Sequence, residues 1–360
     1  MSGDVGQKWV RFLCMASLAV CLAGGFGCEK KRPRVNQSTS TEENAVAEST
    51  SEPSPEPRTS AAANPKATPE PRLPSVAVST QPPPAEIWRE FKGQNALDTA
   101  GKLVGLGPRP AGSPALDSAR RLLVSGLEAA AWEVERDAFQ TAAPNGSVSG
   151  VNLIARFSAD GSRPVARTPR SILVVAAYDT RAFSTIQFVG ANDGASGPAM
   201  LLEIARVLSL NPRLAERVEL LLADASEPRQ QFTPTDGVAG SRHYLSRVDP
   251  KSLRRVLVLG GVGANGENLT VPPDTAADIW QEATQGCSRL GQPMLLRKLD
   301  RYMWGDHVPF TEAGISSLYL GNHDYLARYT ADDRLDKLSA ASLERVGQFA
   351  TWLVAQWAQR

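Results

Sequence analysis

Short apolar runs separated by amphipathic stretches give this chain its outline. Residues 171–177 (Ser-Ile-Leu-Val-Val-Ala-Ala), 218–223 (Val-Glu-Leu-Leu-Leu-Ala) and 256–259 (Val-Leu-Val-Leu) carry almost no polar positions. That is the pattern of strands buried on both faces of a sheet. Residues 132–139, 151–157 and 315–320 read as three further strands. Helical spacing runs through 85–106, 113–131, 197–208, 274–290 and 339–357. The last of these places Leu343, Val346, Ala350, Leu353 and Trp357 on one face. A turn rich in proline and glycine, residues 107–114, separates the first two helices. Strands alternating with helices predict an α/β fold, a three-layer sandwich around a mostly parallel central sheet. No internal repeat is visible.

The first 85 residues differ in kind. Lys8 and Arg11 precede an apolar run at 12–22, and small residues at 23–25 lead to Cys28. A basic start, an apolar stretch too short for a comfortable span and a small-residue exit make a secretory signal. Cys28 stands where a bacterial lipoprotein carries its lipid-modified cysteine; an ordinary cleaved signal and an uncleaved anchor are the alternatives. Each places the body outside the cytoplasm, at or near a membrane. Residues 29–85 are dominated by Pro, Ser, Thr, Glu and Ala and contain no Phe, Tyr or Trp. Such a segment buries too little apolar surface to offset its ordering entropy, so it reads as a disordered linker. The expected organisation is a signal over 1–28, a linker over 29–85 and a folded domain over 86–360. A formal charge of +1 gives no electrostatic case for nucleic acid. Cys287 is the one cysteine of the folded part, which excludes an intrachain disulfide there.

In open parallel sheets, sites form beyond the carboxyl ends of the strands. After 171–177 comes Tyr178-Asp179-Thr180, and then Phe188-Val-Gly-Ala-Asn-Asp193 before a helix. After 218–223 come Asp224-Ala-Ser-Glu227 and the run Phe232-Thr-Pro-Thr-Asp-Gly-Val-Ala-Gly-Ser-Arg-His243. After 256–259 comes Gly260-Gly-Val-Gly-Ala264. Trp304-Gly-Asp-His-Val-Pro-Phe310 and Arg328-Tyr-Thr-Ala-Asp-Asp333 follow. In order and spacing these segments resemble the zinc exopeptidase superfamily, aminopeptidases and glutaminyl-peptide cyclotransferases, with the cyclotransferases the nearer type. The resemblance covers about residues 88–357.

The resemblance implies roles and also gaps. Asp193 matches the metal-bridging aspartate and Glu227 a zinc-binding glutamate. Asp306 matches a catalytic-network aspartate, with a helix N-cap as its alternative role. Ser226 stands where the family has its general acid/base, Ala177 and Tyr329 where it has ligand histidines, and Gly260 where it has an aspartate. Phe232, Trp304 and Arg328 fall at substrate-packing positions. His323, in the loop before Tyr329, is a candidate substitute ligand, with a surface-loop histidine as its alternative role. Zinc prefers three or four ligands drawn from Cys, His and carboxylate, whereas two carboxylates suit a hard cation better. With no metal, Arg328 and Tyr329 are the natural partners of Asp193 and Glu227. The expected function is a membrane-tethered, catalytically impaired domain, a pseudoenzyme that binds peptide or protein N-termini. The alternatives are an active metal-dependent cyclotransferase or aminopeptidase with rearranged ligands and Asp306 or Asp224 as base, and a purely structural envelope protein.

Overall fold

The computed structural model describes residues 86–144, 146–158 and 170–360. The signal segment, Cys28 and the whole of the 29–85 linker lie outside the described residues. Among those described, no helix is long and apolar enough to cross a membrane.

Six strands form the central sheet in the order β1-β2-β4-β3-β5-β8. They are β1 (Trp132–Ala143), β2 (Gly146–Phe157), β3 (Ile172–Ala177), β4 (Val218–Ala223), β5 (Arg255–Leu259) and β8 (Ser317–Leu320). β3, β4, β5 and β8 run parallel, while β2 pairs antiparallel with both β1 and β4. The sheet is mixed, with a parallel centre and an antiparallel hairpin at one edge. A separate parallel pair joins β6 (Leu269–Val271) to β7 (Leu296–Lys298). The helices are α1 (Gly93–Val104), α2 (Pro114–Ala129), α3 (Gly197–Ser209), α4 (Pro212–Ala215), α5 (Ala239–Ser246), α6 (Ala277–Arg289), α7 (Val308–Glu312) and α8 (Ala340–Gln359).

Alternation along each central strand makes the three layers, because successive side chains leave opposite faces of a pleated strand. Val174 and Ala176 of β3, Leu220 and Leu222 of β4, and Leu257 and Leu259 of β5 pack with α1, α2, α3 and α8. Leu173, Val175, Leu221, Val256 and Val258 face the other way, against Tyr244 of α5 and Phe310 of α7. Both faces are covered, so these strands carry no polar alternation.

Two expectations need adjustment. The first expected helix is broken: a short turn over Ile87–Glu90 ends at extended Phe91, and α1 begins at Gly93. Phe91 is fully buried, and its ring fills the space that a side chain on Gly347 of α8 would need. Tertiary packing there overrides helical spacing. The edge hairpin is also longer than the apolar pattern, reaching Ala143 and starting again at Gly146. Its outer half is mostly exposed, so it gave no hydrophobic signal.

β3 leads through α3 to β4 on one side, and β4 leads through α5 to β5 on the other side of β3. Strand order reverses around β3, and such a switch opens a crevice at the carboxyl ends. The candidate residues converge there.

Candidate functional site

A cavity of about 40 Å³ sits at that crevice, lined by, among others, Asp193, Ser226, Glu227, Tyr319, Arg328 and Tyr329. Phe232, Trp304, Asp306, Ala177 and Gly260 line it too. The structure therefore brings together the sequence-derived candidates of the folded domain, except His323 and the alternative base Asp224, which do not line the cavity.

Asp193 and Glu227 are joined by a relay. Arg328 Nε donates to Asp193 Oδ2 at 3.1 Å, and Arg328 Nη2 donates to the Tyr329 hydroxyl at 3.2 Å. That hydroxyl donates in turn to Glu227 Oε2 at 3.1 Å. Each group uses its proper valence, the phenol accepting once and donating once. The Tyr329 ring packs edge-on to Phe188 and tilts against Phe183. Tyr329 has a φ of 58°, rare for a bulky residue, so the fold holds it there against its own preference.

The charges around the relay follow from burial. Burial pushes Glu227 well above the usual carboxylate range, and the negative charges of Asp193 and Asp179 push the same way. Arg328 and the Tyr329 hydrogen bond pull it back. For Arg328, burial works against the charge, but Asp193 and the groups beyond it override burial and raise its pKa.

The loops carrying the two carboxylates are held by a matched device. Asp179 accepts the backbone N–H groups of Ser226 and Glu227 at 3.0 and 3.1 Å. Asp333 accepts those of Asn192 and Asp193 at 2.8 and 3.0 Å. Burial pushes Asp179 to about 7 and Asp333 to about 6, each partly offset by the N–H groups it accepts. Gly194, with a φ of 116°, follows Asp193 because a Cβ there would meet the Asp179 carbonyl oxygen at 2.7 Å. A fully buried guanidinium, Arg109, donates to the carbonyls of Leu103, Gly107, Val189 and Gly190. Sequence reasoning gave no role to Arg109, Asp179 or Asp333. A signal existed for Arg109, an arginine inside a Pro/Gly turn, and for Asp333, the closing aspartate of the last motif.

The remaining assignments divide. Asp306 Oδ1 accepts from Ser226 Oγ at 2.9 Å and from Ser241 Oγ at 2.6 Å. It is not a helix cap, because α7 starts after His307 with no side-chain cap. Burial raises Asp306, and the two serine hydroxyls pull it down. Ser226 is thus a donor to Asp306 rather than a base. Asp224 is occupied by Arg120, Tyr178 and the Val151 N–H, which removes it as a free base. His323 does not reach the cavity. Its ring lies edge-on to Tyr319 at 5.3 Å, and Tyr319 is the residue that lines the site. Cys287 is buried, and burial pushes its thiol up to about 12, so it is inert packing.

His323 and His307 instead make an acid-labile pair flanking Tyr319. Burial pushes His307 down to about 4; burial, reinforced by Arg328, His307 and Arg301, pushes His323 to about 3. Both values lie below the ordinary 6.5, so the unfolded chain protonates first. Their contribution is complete above pH 6.5 and is lost as pH falls toward 3. Asp179 and Asp333 act oppositely, gaining stability as pH falls through 7 and 6 toward 3.8. The His323→Phe variant should therefore lose urea midpoint less steeply with acid than the parent. Equal slopes would mean that protonated His323 finds a partner.

The model of peptidase family M28 matches residues 152–354, more than half of the chain. The chain belongs to peptidase family M28. Among its curated relatives, aminopeptidase YwaD of Bacillus subtilis (strain 168) is 29% identical over 197 residues, 51% of this chain and 40% of that protein. Glutaminyl-peptide cyclotransferase of Bos taurus is 26% identical over 289 residues, 68% of this chain and 77% of that protein. The match to the first of these spans well under two thirds of its length. The crystal structure of Acidobacteriales bacterium glutaminyl cyclase superposes with a TM-score of 0.66 at 25% identity, over 75% of this chain and 96% of that one. The expected α/β fold is the fold of this M28 domain.

Zinc is the metal that family M28 implies, and the donors present here do not fit it. Ala177 carries no ligating atom. The Asp193 and Glu227 carboxylates already accept from Arg328 and Tyr329. A Cβ on Gly260 would overlap the Tyr319 hydroxyl, so that hydroxyl fills the place of an aspartate side chain. Among the described residues, no group of three or more His, Cys, Asp or Glu is placed to hold a metal.

Proposed function

We propose that this M28 domain has given up metal-dependent catalysis and serves as a binding module for peptide or protein N-terminal segments. The observation that carries this reading is the Asp193–Arg328–Tyr329–Glu227 relay, in which an internal cation and a phenol take up the lone pairs a metal needs. The serine at 226 supports it as well. A positioned general base contributes about 10²–10⁴-fold, and a hydroxyl donating to Asp306 supplies none of that. Phe232 and Trp304 line the mouth and supply apolar contact. A second cavity of about 160 Å³ shares Glu227 with the first and extends past Arg229, Pro234 and Arg242. The two together suit an extended segment better than a single buried residue. The basic, apolar and Cys28-containing start of the chain supports placement outside the cytoplasm, held at a membrane.

The small first cavity favours a second reading. About 40 Å³ admits only a few water molecules, as in an envelope protein whose former pocket only has to be packed. A fluorescence titration of Trp304 with short peptides separates the two. Saturable binding that needs a free amino terminus supports the module; no response at millimolar peptide supports the structural role.

Elemental analysis after zinc incubation and desalting tests the loss of metal. Zinc well below one equivalent is expected, with no release of pyroglutamyl product from glutaminyl peptides. Stoichiometric zinc with turnover would instead establish a working cyclotransferase or aminopeptidase.

A further inference from the structure

We propose that the Arg328 guanidinium is a tethered substitute for the metal: it neutralises the Asp193–Glu227 pair from within and keeps divalent cations out of it. The inference rests on the metal-free reading and adds the residue responsible. Arg328 meets Asp193 directly and reaches Glu227 through the Tyr329 hydroxyl, so one side chain serves both carboxylates. The Arg328 and Asp193 side chains are 27% and 14% exposed, so bulk water screens the pair only partly.

The surrounding loop is built to hold that cation. Residues 326–329 form a turn, and with Tyr329 in the left-handed conformation residues 328 and 329 face one cavity. The Arg328 guanidinium carbon lies 4.4 Å from the Tyr329 ring centre, and that of Arg181 lies 5.1 Å from it. Tyr325 donates to Asp333 at 3.3 Å, and Asp333 holds the N–H of Asp193. The loop that supplies the cation and the loop that supplies the carboxylate thus share an anchor. Arg301 and Asp324 tie the loop from outside at 3.1 Å. A cation fixed in place competes at high effective concentration against any ion from solution. Its planar, weakly hydrated fork also costs less to bury than an ammonium.

If Arg328 excludes the ion, removing its charge should uncover a carboxylate pair with affinity for a hard cation. The test compares the thermal midpoints of the parent domain, Arg328→Gln and Arg328→Gln/Asp193→Asn, each with and without millimolar calcium chloride. The parent should not respond. Arg328→Gln should melt lower and recover by about 3 °C or more with calcium, and the added Asp193→Asn change should abolish the recovery. Folding of Arg328→Gln only in calcium would be the same result in stronger form. If that variant is unfolded in either buffer, Arg328→Met reads the question, since it removes the charge but keeps packing against the Tyr329 ring. A calcium-dependent rise is then expected, and no rise overturns the inference. A parent that binds calcium or zinc as tightly as the variant overturns both the inference and the metal-free reading. Indifference of the parent and all variants overturns the inference alone.

Discussion

Replacing Arg109 by methionine should cost the domain about 3–5 kcal/mol, because buried backbone acceptors lose their charged donor. The side chain is fully buried, and its hydrogen-bond partners among the described residues are all backbone carbonyls, from Leu103 and Gly107 on one side and Val189 and Gly190 on the other. Burial lowers its pKa to about 10, and the charges of Asp179 and Asp333 resist that fall. It therefore stays charged at neutral pH. Its backbone also pairs with Thr180 in both directions, the N–H to Thr180 Oγ1 at 2.8 Å and the carbonyl from the Thr180 N–H at 3.0 Å. One residue so links the turn before α2, the loop after β3 and the loop before Asp193. Methionine fills similar volume but donates nothing, and each buried acceptor left alone costs about 1–3 kcal/mol before relaxation. Urea unfolding should show a lower midpoint at unchanged slope. Lysine should recover only a minor part, because a point charge cannot reach acceptors on two sides. A loss below about 1 kcal/mol for methionine would mean that water takes over all four carbonyls.

That residue also marks where the sequence stopped being legible. The central strands could be read because a strand covered on both faces must be nearly all apolar, as β3 is throughout and β4 is apart from Glu219, whose buried carboxylate accepts from Arg156 and Tyr244. The family motifs could be read because they lie at fixed places after those strands. Less legible were features settled by distant partners. Phe91 breaks a helix because of Gly347, 256 positions later. The outer half of the β1–β2 hairpin faces solvent and shows no periodicity that marks a core. Asp179 and Asp333 look like ordinary loop carboxylates until the backbone N–H groups they accept are seen. The partnership of Arg328 and Tyr329 with the two carboxylates was legible once the family resemblance placed them together, since a buried acidic pair demands donors. The relay order was not, because it depends on the backbone twist at Tyr329. His323 does not take the substitute-ligand role for a related reason: loop position gave its neighbourhood, but its ring packs on Tyr319, which lines the cavity in its stead.

Tyr319 supplies the second large effect. Gly260→Ala should destabilise the domain by about 2–3 kcal/mol, as overpacking of a tight core does. The sign is diagnostic, because glycine to alanine at a position free of positive φ normally stabilises by about 0.4–1 kcal/mol through the unfolded chain. Gly260 is such a position, being absent from the left-handed residues. What opposes the methyl group is Tyr319. A Cβ at 260 would overlap its hydroxyl oxygen and lie 2.5 Å from Cζ. The ring cannot swing away, since His307 and His323 flank it at 5.1 and 5.3 Å. Tyr319→Phe removes only the oxygen and should relieve the clash in part, whereas Tyr319→Leu removes the para end of the ring and should relieve most of it. In a double-mutant cycle, Gly260→Ala combined with Tyr319→Leu should be less destabilised than the sum of the single changes by about 2 kcal/mol. The coupling says why the family aspartate cannot simply be restored at 260: the hydroxyl of Tyr319 holds its place, and both positions must change together. Additive single effects would instead mean that the ring moves freely, and that the glycine and the tyrosine are independent losses.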